Sequence, residues 1–222
     1  MQWLFDLDGT LHQDQYGVAK RISESMTRYI EDYFSCSRFQ ADALRRTYIN
    51  CYGATLAGLI AEVPSFPVKD FLHTTHPLNV LLPLVVVEYD LPSSLRALTG
   101  DKYILSNAPV HYVEAVLECL NVRSFFKALG CCDSFPDFYF KPQELAYTLF
   151  LQAHGLNARE CILVDDRLAN LIRAKKLGMK TVWIHSASES KKGENFLHVD
   201  SIHQLAARYG EPLFSQRSNY AV

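Results

Sequence analysis

Two aspartates separated by one residue stand near the start of the chain, in Phe5-Asp6-Leu7-Asp8-Gly9-Thr10-Leu11. One carboxylate of such a pair can attack an electrophile while the other exchanges a proton with the leaving group. The pair also suits a hard divalent cation, which takes oxygen ligands. Three more places along the chain bear chemistry: Ser106-Asn107, Lys141 and Asp165-Asp166. Asn170 follows Asp166 by four residues, near the same face of a helix, and could brace a site there. Acids alone would repel an anionic substrate. A hard divalent cation such as Mg²⁺ would reconcile the two. Each of these residues taken singly could be a plain turn residue, and His12–Gly17 read as a polar turn.

The elements that would position them follow from hydrophobic patterning. Trp3, Leu4 and Phe5 form a short apolar run ending in the acidic turn, which predicts a buried strand, and Gly9 permits a bend. Val18, Ile22, Met26, Tyr29, Ile30 and Tyr33 recur at helical spacing. Further helices are expected over about 39–51 and around Leu56, Leu59, Ile60 and Val63, the latter ended by Pro64 and Pro67. From Leu91 the pattern alternates. Strands are expected at 102–105, 128–132, 161–164, 181–184 and 196–199. Helices are expected at 93–98, from Pro109, from Lys141-Pro142, at 168–177 closed by Gly178, and from a cap at Asp200 or Ser201 to Gly210. The tail beyond Pro212 is expected to be loosely held. Strands joined by helices predict a doubly wound parallel α/β sheet, whose ligands gather at the carboxyl ends of the strands. Asp6 and Asp8, Ser106 and Asn107, Lys141, and Asp165 and Asp166 all fall at or beyond such ends.

Phe5–Leu11 resembles the first motif of the haloacid dehalogenase superfamily in its phosphatase form, and the three later sites match its further motifs in order. The resemblance covers roughly residues 1–14 and 91–200. It implies Asp6 as nucleophile and Asp8 as general acid/base. It implies Ser106 as a phosphate donor, with the Asn107 backbone N–H beside it, and Lys141 as the cation that neutralises nucleophile and phosphate. The Mg²⁺ ligands would be Asp6, Asp166, Asp165 and the main-chain carbonyl of Asp8. Asn170 stands where the superfamily often has Asp. Asp8 speaks against the dehalogenase branch, which lacks the second acid. The expected domains are a catalytic core, 1–14 and 91–222, and a helical cap, 15–90, inserted after the first strand. Tyr52-Gly53-Ala54-Thr55-Leu56-Ala57-Gly58-Leu59 resembles the cap segment of the pyrimidine 5′-nucleotidase subgroup. It makes Tyr52, Gly53 and Thr55 candidate substrate-binding residues.

Composition bounds the rest. The chain has 222 residues, 49% of them hydrophobic, and a formal net charge of -2. This fits a folded globular protein and gives no reason to expect a nucleic acid polymer or an anionic membrane as partner. The apolar stretch at 80–87 is broken by Pro83 and too short to span a bilayer. An acidic motif stands where a secretory signal would start, so a cytoplasmic protein is expected. The six cysteines lack CxxC spacing and read as reduced thiols, most of them small core residues, not as a zinc site. His73, His76 and His185 read as structural or exposed. The reading is a Mg²⁺-dependent phosphomonoester hydrolase acting on a small phosphorylated metabolite, preferably a pyrimidine nucleoside 5′-monophosphate. A sugar-phosphate phosphatase or phosphomutase is the rival on the same core. A non-catalytic binding module is the rival of another class. Oligomeric state is not legible.

Overall fold

A computed structural model describes residues 1–13, 16–86, 90–135, 137–185 and 196–210. Gln15, Val87, Tyr89 and the tail beyond Pro212 lie outside them. Six strands form one sheet: β1 (Gln2–Phe5), β2 (Asp101–Leu105), β3 (Phe126–Gly130), β4 (Cys161–Asp165), β5 (Lys180–Ile184) and β6 (Leu197–Val199). Their order is β3-β2-β1-β4-β5-β6, and every neighbouring pair is parallel. The chain leaves β1 for β2 and β3 on one side, then returns to β4, β5 and β6 on the other. This places the topological switch, and with it the expected ligand crevice, at the carboxyl end of β1.

Alternation along β1 sends side chains to two cores. Trp3 and Phe5 pack with α6 (Leu91–Ala97), α7 (Val110–Cys119) and α10 (Ile202–Tyr209) on one face. Leu4 packs with α8 (Glu144–Ala153) and α9 (Leu168–Lys176) on the other. The doubly wound expectation therefore holds.

Two helix starts differ from the expected ones. Pro109 is the residue before α7, in extended backbone. Helix α8 starts at Glu144, not at Lys141-Pro142. The peptide groups of Lys141 are committed elsewhere, to the Asn107 side chain, and the Gln143 side chain turns back to accept from the Phe140 N–H. The other elements shift by a residue or two. Ser201 is the N-cap of α10, its hydroxyl accepting from the Gln204 N–H.

Between β1 and α6 come α1 (Val18–Phe34), α2 (Arg38–Tyr52), α3 (Thr55–Glu62), α4 (Val68–Thr75) and α5 (Leu78–Leu81). A capping box between Ser37 and Gln40 starts α2. Helix α3 lies close on α2: a Cβ on Gly58 would fall 2.2 Å from Tyr48 Cγ. Ile30, Tyr48, Leu59, Phe66 and Phe71 form a separate helical core that also takes in Cys132 and Phe140 from the loop after β3. The cap thus rests on the segment that carries Lys141. Val18, Leu81 and Val85, at its two ends, pack into the core beneath β1 and β2.

All six cysteines are free. Only Cys131, Cys132 and Cys161 are buried, whereas Cys51 and Cys119 are exposed, so half of them fill the core and not most. No helix among the described residues is long and apolar enough to cross a membrane.

Candidate active site

The tip of β1 carries the centre. Asp6 extends the ladder by one bond, its N–H donating to the Val164 carbonyl at 2.9 Å. Its Oδ1 accepts from the Leu7 N–H at 2.8 Å and lies 3.1 Å from Lys141 Nζ. Lys141 is fully buried and donates at 2.6 Å to Asp165 Oδ2. Asp165, at the end of β4, is saturated: it also accepts from the Arg167 N–H at 2.8 Å and from Asn170 Nδ2 at 2.9 and 3.0 Å. Its oxygens are spent on orienting Lys141 and bracing the start of α9. Asn107, at the end of β2, clamps Lys141 from the other side. Its Nδ2 donates to the Lys141 carbonyl at 2.8 Å, and its Oδ1 accepts the Lys141 N–H at 2.7 Å. Sequence reasoning assigned Asn107 a backbone donor; here the side chain sets the lysine. Ser106 Oγ accepts from the Ala108 N–H at 3.1 Å, a bond that leaves its hydroxyl proton unused.

Asp8 has different company. Its Oδ1 meets His12 Nε2 at 2.9 Å and accepts from the Tyr112 hydroxyl at 2.7 Å. His12 is the fourth residue after Asp8, a faint signal within a stretch read as a turn. Tyr112 comes from α7 and had no signal at all. His76 packs against Tyr112, its centroid 5.4 Å away.

These surroundings set the charges. Burial raises the Asp6 carboxyl to about 7 although Lys141 opposes it. Burial, with Asp6 and Asp165 nearby, raises Asp166 to about 8. Burial would also raise Asp8, but the bonds from His12 and Tyr112 hold it below the usual carboxylate range. Burial disfavours the Lys141 ammonium, yet Asp165 and Asp6 more than compensate and its pKa goes up. Burial lowers His76 to about 4, so it is neutral at pH 7.

The residues fit a hard cation. Oxygens of Asp6, Asp165 and Asp166 lie within 4.8 Å of one another. Asp166 Oδ1 and Asn170 Oδ1 are buried and have no hydrogen-bond partner among the described residues. A buried oxygen without a donor is costly, and a divalent cation would satisfy it. The backbone is cut to admit the carboxylate. Gly9 has φ +77°, and a Cβ there would stand 2.7 Å from Asp166 Oδ2. The Trp183 indole donates to the Asp166 carbonyl at 2.9 Å and fixes that residue from β5.

Asp6, Asp8, Gly9, Ser106, Asn107, Asp166, Arg167 and Asn170 line a cavity of about 330 Å³. A second cavity, of about 190 Å³, lies between cap and core and shares Asn107 and Arg167 with the first. Gly53 and Thr55 line it, with Arg45, Phe71, His76 and Phe140. Gly53, at φ +84°, lies against Pro142, to whose Cδ an added Cβ would come within 3.3 Å. Tyr52 lines neither cavity, and its hydroxyl donates to Glu62 on α3. Arg45 and Arg167 were not singled out from the sequence, because nothing in their spacing ties them to the acidic motif, and His76 was read only as structural or exposed.

An acidic pair at a strand tip and a buried lysine thus meet at the topological switch of a parallel α/β sheet. The chain belongs to the haloacid dehalogenase-like hydrolases, whose family profile matches residues 4–178. Hexitol phosphatase B of Escherichia coli (strain K12) is 26% identical over 109 residues, 47% of this chain and 48% of that protein. The match thus spans about half the length of that relative. A HAD phosphatase from Thermococcus onnurineus has the same fold, with 17% identity, TM-score 0.63, and 93% and 96% of the two chains covered. CbbY from Rhodobacter sphaeroides in complex with phosphate is similar too, with 16% identity, TM-score 0.62, and 92% and 95% covered.

Proposed function

We propose that the chain is a Mg²⁺-dependent phosphatase that releases phosphate from small phosphomonoesters through an aspartyl phosphate on Asp6. The observation that carries this reading is the pairing in one cavity of Asp6, held against Lys141, with Asp166, whose buried Oδ1 lacks a partner among the described residues. Asp6, Asp166 and the Asp8 carbonyl would hold Mg²⁺, which would supply positive charge to offset the repulsion between acids and phosphate. Asp165 stays with Lys141. Ser106 donates to a phosphate oxygen, and Lys141 neutralises the others together with Asp6.

Asp6 Oδ attacks phosphorus, and the bond to the leaving oxygen breaks in line. Asp8 gives that oxygen a proton. Water then attacks the aspartyl phosphate, losing its proton to Asp8 and restoring Asp6. His12 and Tyr112 hold Asp8 ionised, the state that receives this proton. An incoming phosphate dianion raises the Asp8 pKa, which readies it as the acid of the first step.

The leaving portion occupies the 190 Å³ chamber under the cap. The Tyr52–Leu59 segment supports a nucleoside 5′-monophosphate, pyrimidine first, and Gly53 and Thr55 lie where such a group would sit. A sugar phosphate is the second reading, favoured by the likeness to a hexitol phosphatase. The free cysteines suit a cytoplasmic setting. Purified full-length protein with Mg²⁺ should release phosphate from phenyl phosphate, and a chelator should stop it. A panel of UMP, CMP, AMP and sorbitol 6-phosphate then ranks kcat/KM. A sugar phosphate ahead of every nucleotide would remove the pyrimidine assignment. Full turnover in chelator would remove the metal.

A further inference from the structure

Arg45 on α2 has an unusual position. Its side chain is only 12% exposed, and its Nε is buried with no acceptor among the described residues. One arm is used: Nη1 donates at 2.7 Å to Thr27 Oγ1, which itself donates to Asp42 Oδ1 at 2.7 Å. The guanidinium is therefore aimed, and its ion pair with Asp42 is long, 3.8 Å, and reaches a partly exposed carboxylate, so its charge is only partly compensated. Burial lowers the pKa of Arg45 in spite of Asp42. Arg45 lines the chamber between cap and core, and so does Arg167 at its junction with the phosphate cavity. Among the described residues, no acidic one lines the chamber. His76 there is neutral, and its Nδ1 is engaged by the Leu72 carbonyl and the Thr75 hydroxyl. Most of the remaining wall is apolar. A buried cation whose one acid is distant and partly exposed is costly by itself, and an anionic oxygen in the chamber lowers the cost.

We infer that this chamber is a second anion site, in which Arg45 grips a carboxylate or second phosphate carried by the leaving portion of the substrate. The inference rests on the phosphatase reading only in taking the occupant to be that leaving portion. It applies to either leaving-group class, since a hexose chain or a pyrimidine ring can carry an anion. Arginine suits the task because its planar donors match an oxyacid, and charge-assisted bonds in a dry pocket discriminate well. A substrate that offers only a hydroxyl leaves the cation without its partner.

Substrates that differ at one end test this. Sorbitol 6-phosphate, 6-phosphogluconate and sorbitol 1,6-bisphosphate share one six-carbon chain and end in a hydroxyl, a carboxylate and a phosphate. UMP and orotidine 5′-monophosphate differ by one ring carboxylate. In each set the anionic member should lead in kcat/KM by about tenfold or more. The leader of the hexitol set identifies carboxylate or phosphate as the occupant. Arg45→Gln should bring the ratio close to one, and Arg45→Lys should keep part of it. A ratio taken within one protein sample is independent of how much of that sample is folded. Calorimetric titration of the same compounds into Asp6→Asn and Asp6→Asn/Arg45→Gln proteins reads the chamber without turnover. Retained binding preference with no phosphate release from any compound overturns the phosphatase reading alone. Equal preference with and without Arg45, by rate or by binding, overturns the second anion site.

Discussion

The two cavities treat their polar groups in opposite ways. Around the strand tips, Lys141 is held by Asp6 and Asp165, while Asp165 is saturated by Lys141, Arg167 and Asn170. The Lys141 peptide is locked by Asn107. Positions are over-determined, and what stays open points into the 330 Å³ cavity. Under the cap, polar groups are sparse and Arg45 is left with a donor to spare. In the proposed reaction the first region would hold the reacting atoms still. The second would be completed by a ligand and would meet the part of a substrate that varies. Reaction and selectivity would thereby be divided between core and cap.

The division should break most severely at Asp6, the proposed nucleophile. Asp6→Asn keeps the shape of the side chain but removes the attacking oxygen's charge, so phosphate release should fall by at least about 10³-fold for every substrate. A purified, folded variant that retains most of its rate would deny Asp6 that role. Next comes the network behind it. Lys141→Ala leaves two buried carboxylates without their cation, and stability should drop by about 3–5 kcal/mol. Urea denaturation measures this, and an unchanged midpoint would mean the network is not under electrostatic tension.

A gentler probe is pH. In metal-free protein Asp6 and Asp166 titrate above the usual carboxylate value of 3.8, near 7 and 8. The folded state therefore holds extra protons between these limits. The stability they bring is complete below about pH 4 and is lost as pH rises through 7 and 8. Mg²⁺ favours the ionised forms, so its effect on Tm should be larger at pH 8 than at pH 5. Equal shifts at both pH values would place the cation elsewhere. The smallest effect should come from the cap surface. Tyr52 bonds Glu62 outside both cavities, so Tyr52→Phe should leave kcat/KM within about twofold on nucleotides and on phenyl phosphate. A selective loss on nucleotides would return Tyr52 to the chamber and narrow the contrast between the two regions.

The sequence was most informative where function sits at the ends of strands. Asp6-Leu7-Asp8-Gly9 directly follows an apolar run, and Asp165-Asp166 closes another, so the strand pattern alone carries both to one edge of a parallel sheet. Lys141 was legible by its place in the order of motifs, but its isolation from any helix was not. Only the distant Asn107 explains why the peptide at Lys141 does not begin α8. His12 was within reach of a spacing rule, four residues from Asp8, yet it stood in a polar stretch where a turn was the simpler reading. Tyr112 lay beyond any such rule, because α7 meets β1 only after the sheet has formed.

By itself, then, the sequence determined the parallel α/β core, the helical insertion and the acidic residues at its strand tips. Local periodicity and motif order act over short distances, and they suffice for these. Tertiary structure alone decided which acid is free and which is spent. Asp165 and Asp166 are neighbours in the chain, but strand pairing turns one into the grip of Lys141 and Asn170 and sets the other against Gly9 through Oδ2, with an Oδ1 that has no partner among the described residues. It likewise decided that Arg45, unremarked in its helix, faces a chamber closed by residues more than sixty positions away. Burial and charge pairing depend on contacts between remote segments, and no pattern along one segment encodes them.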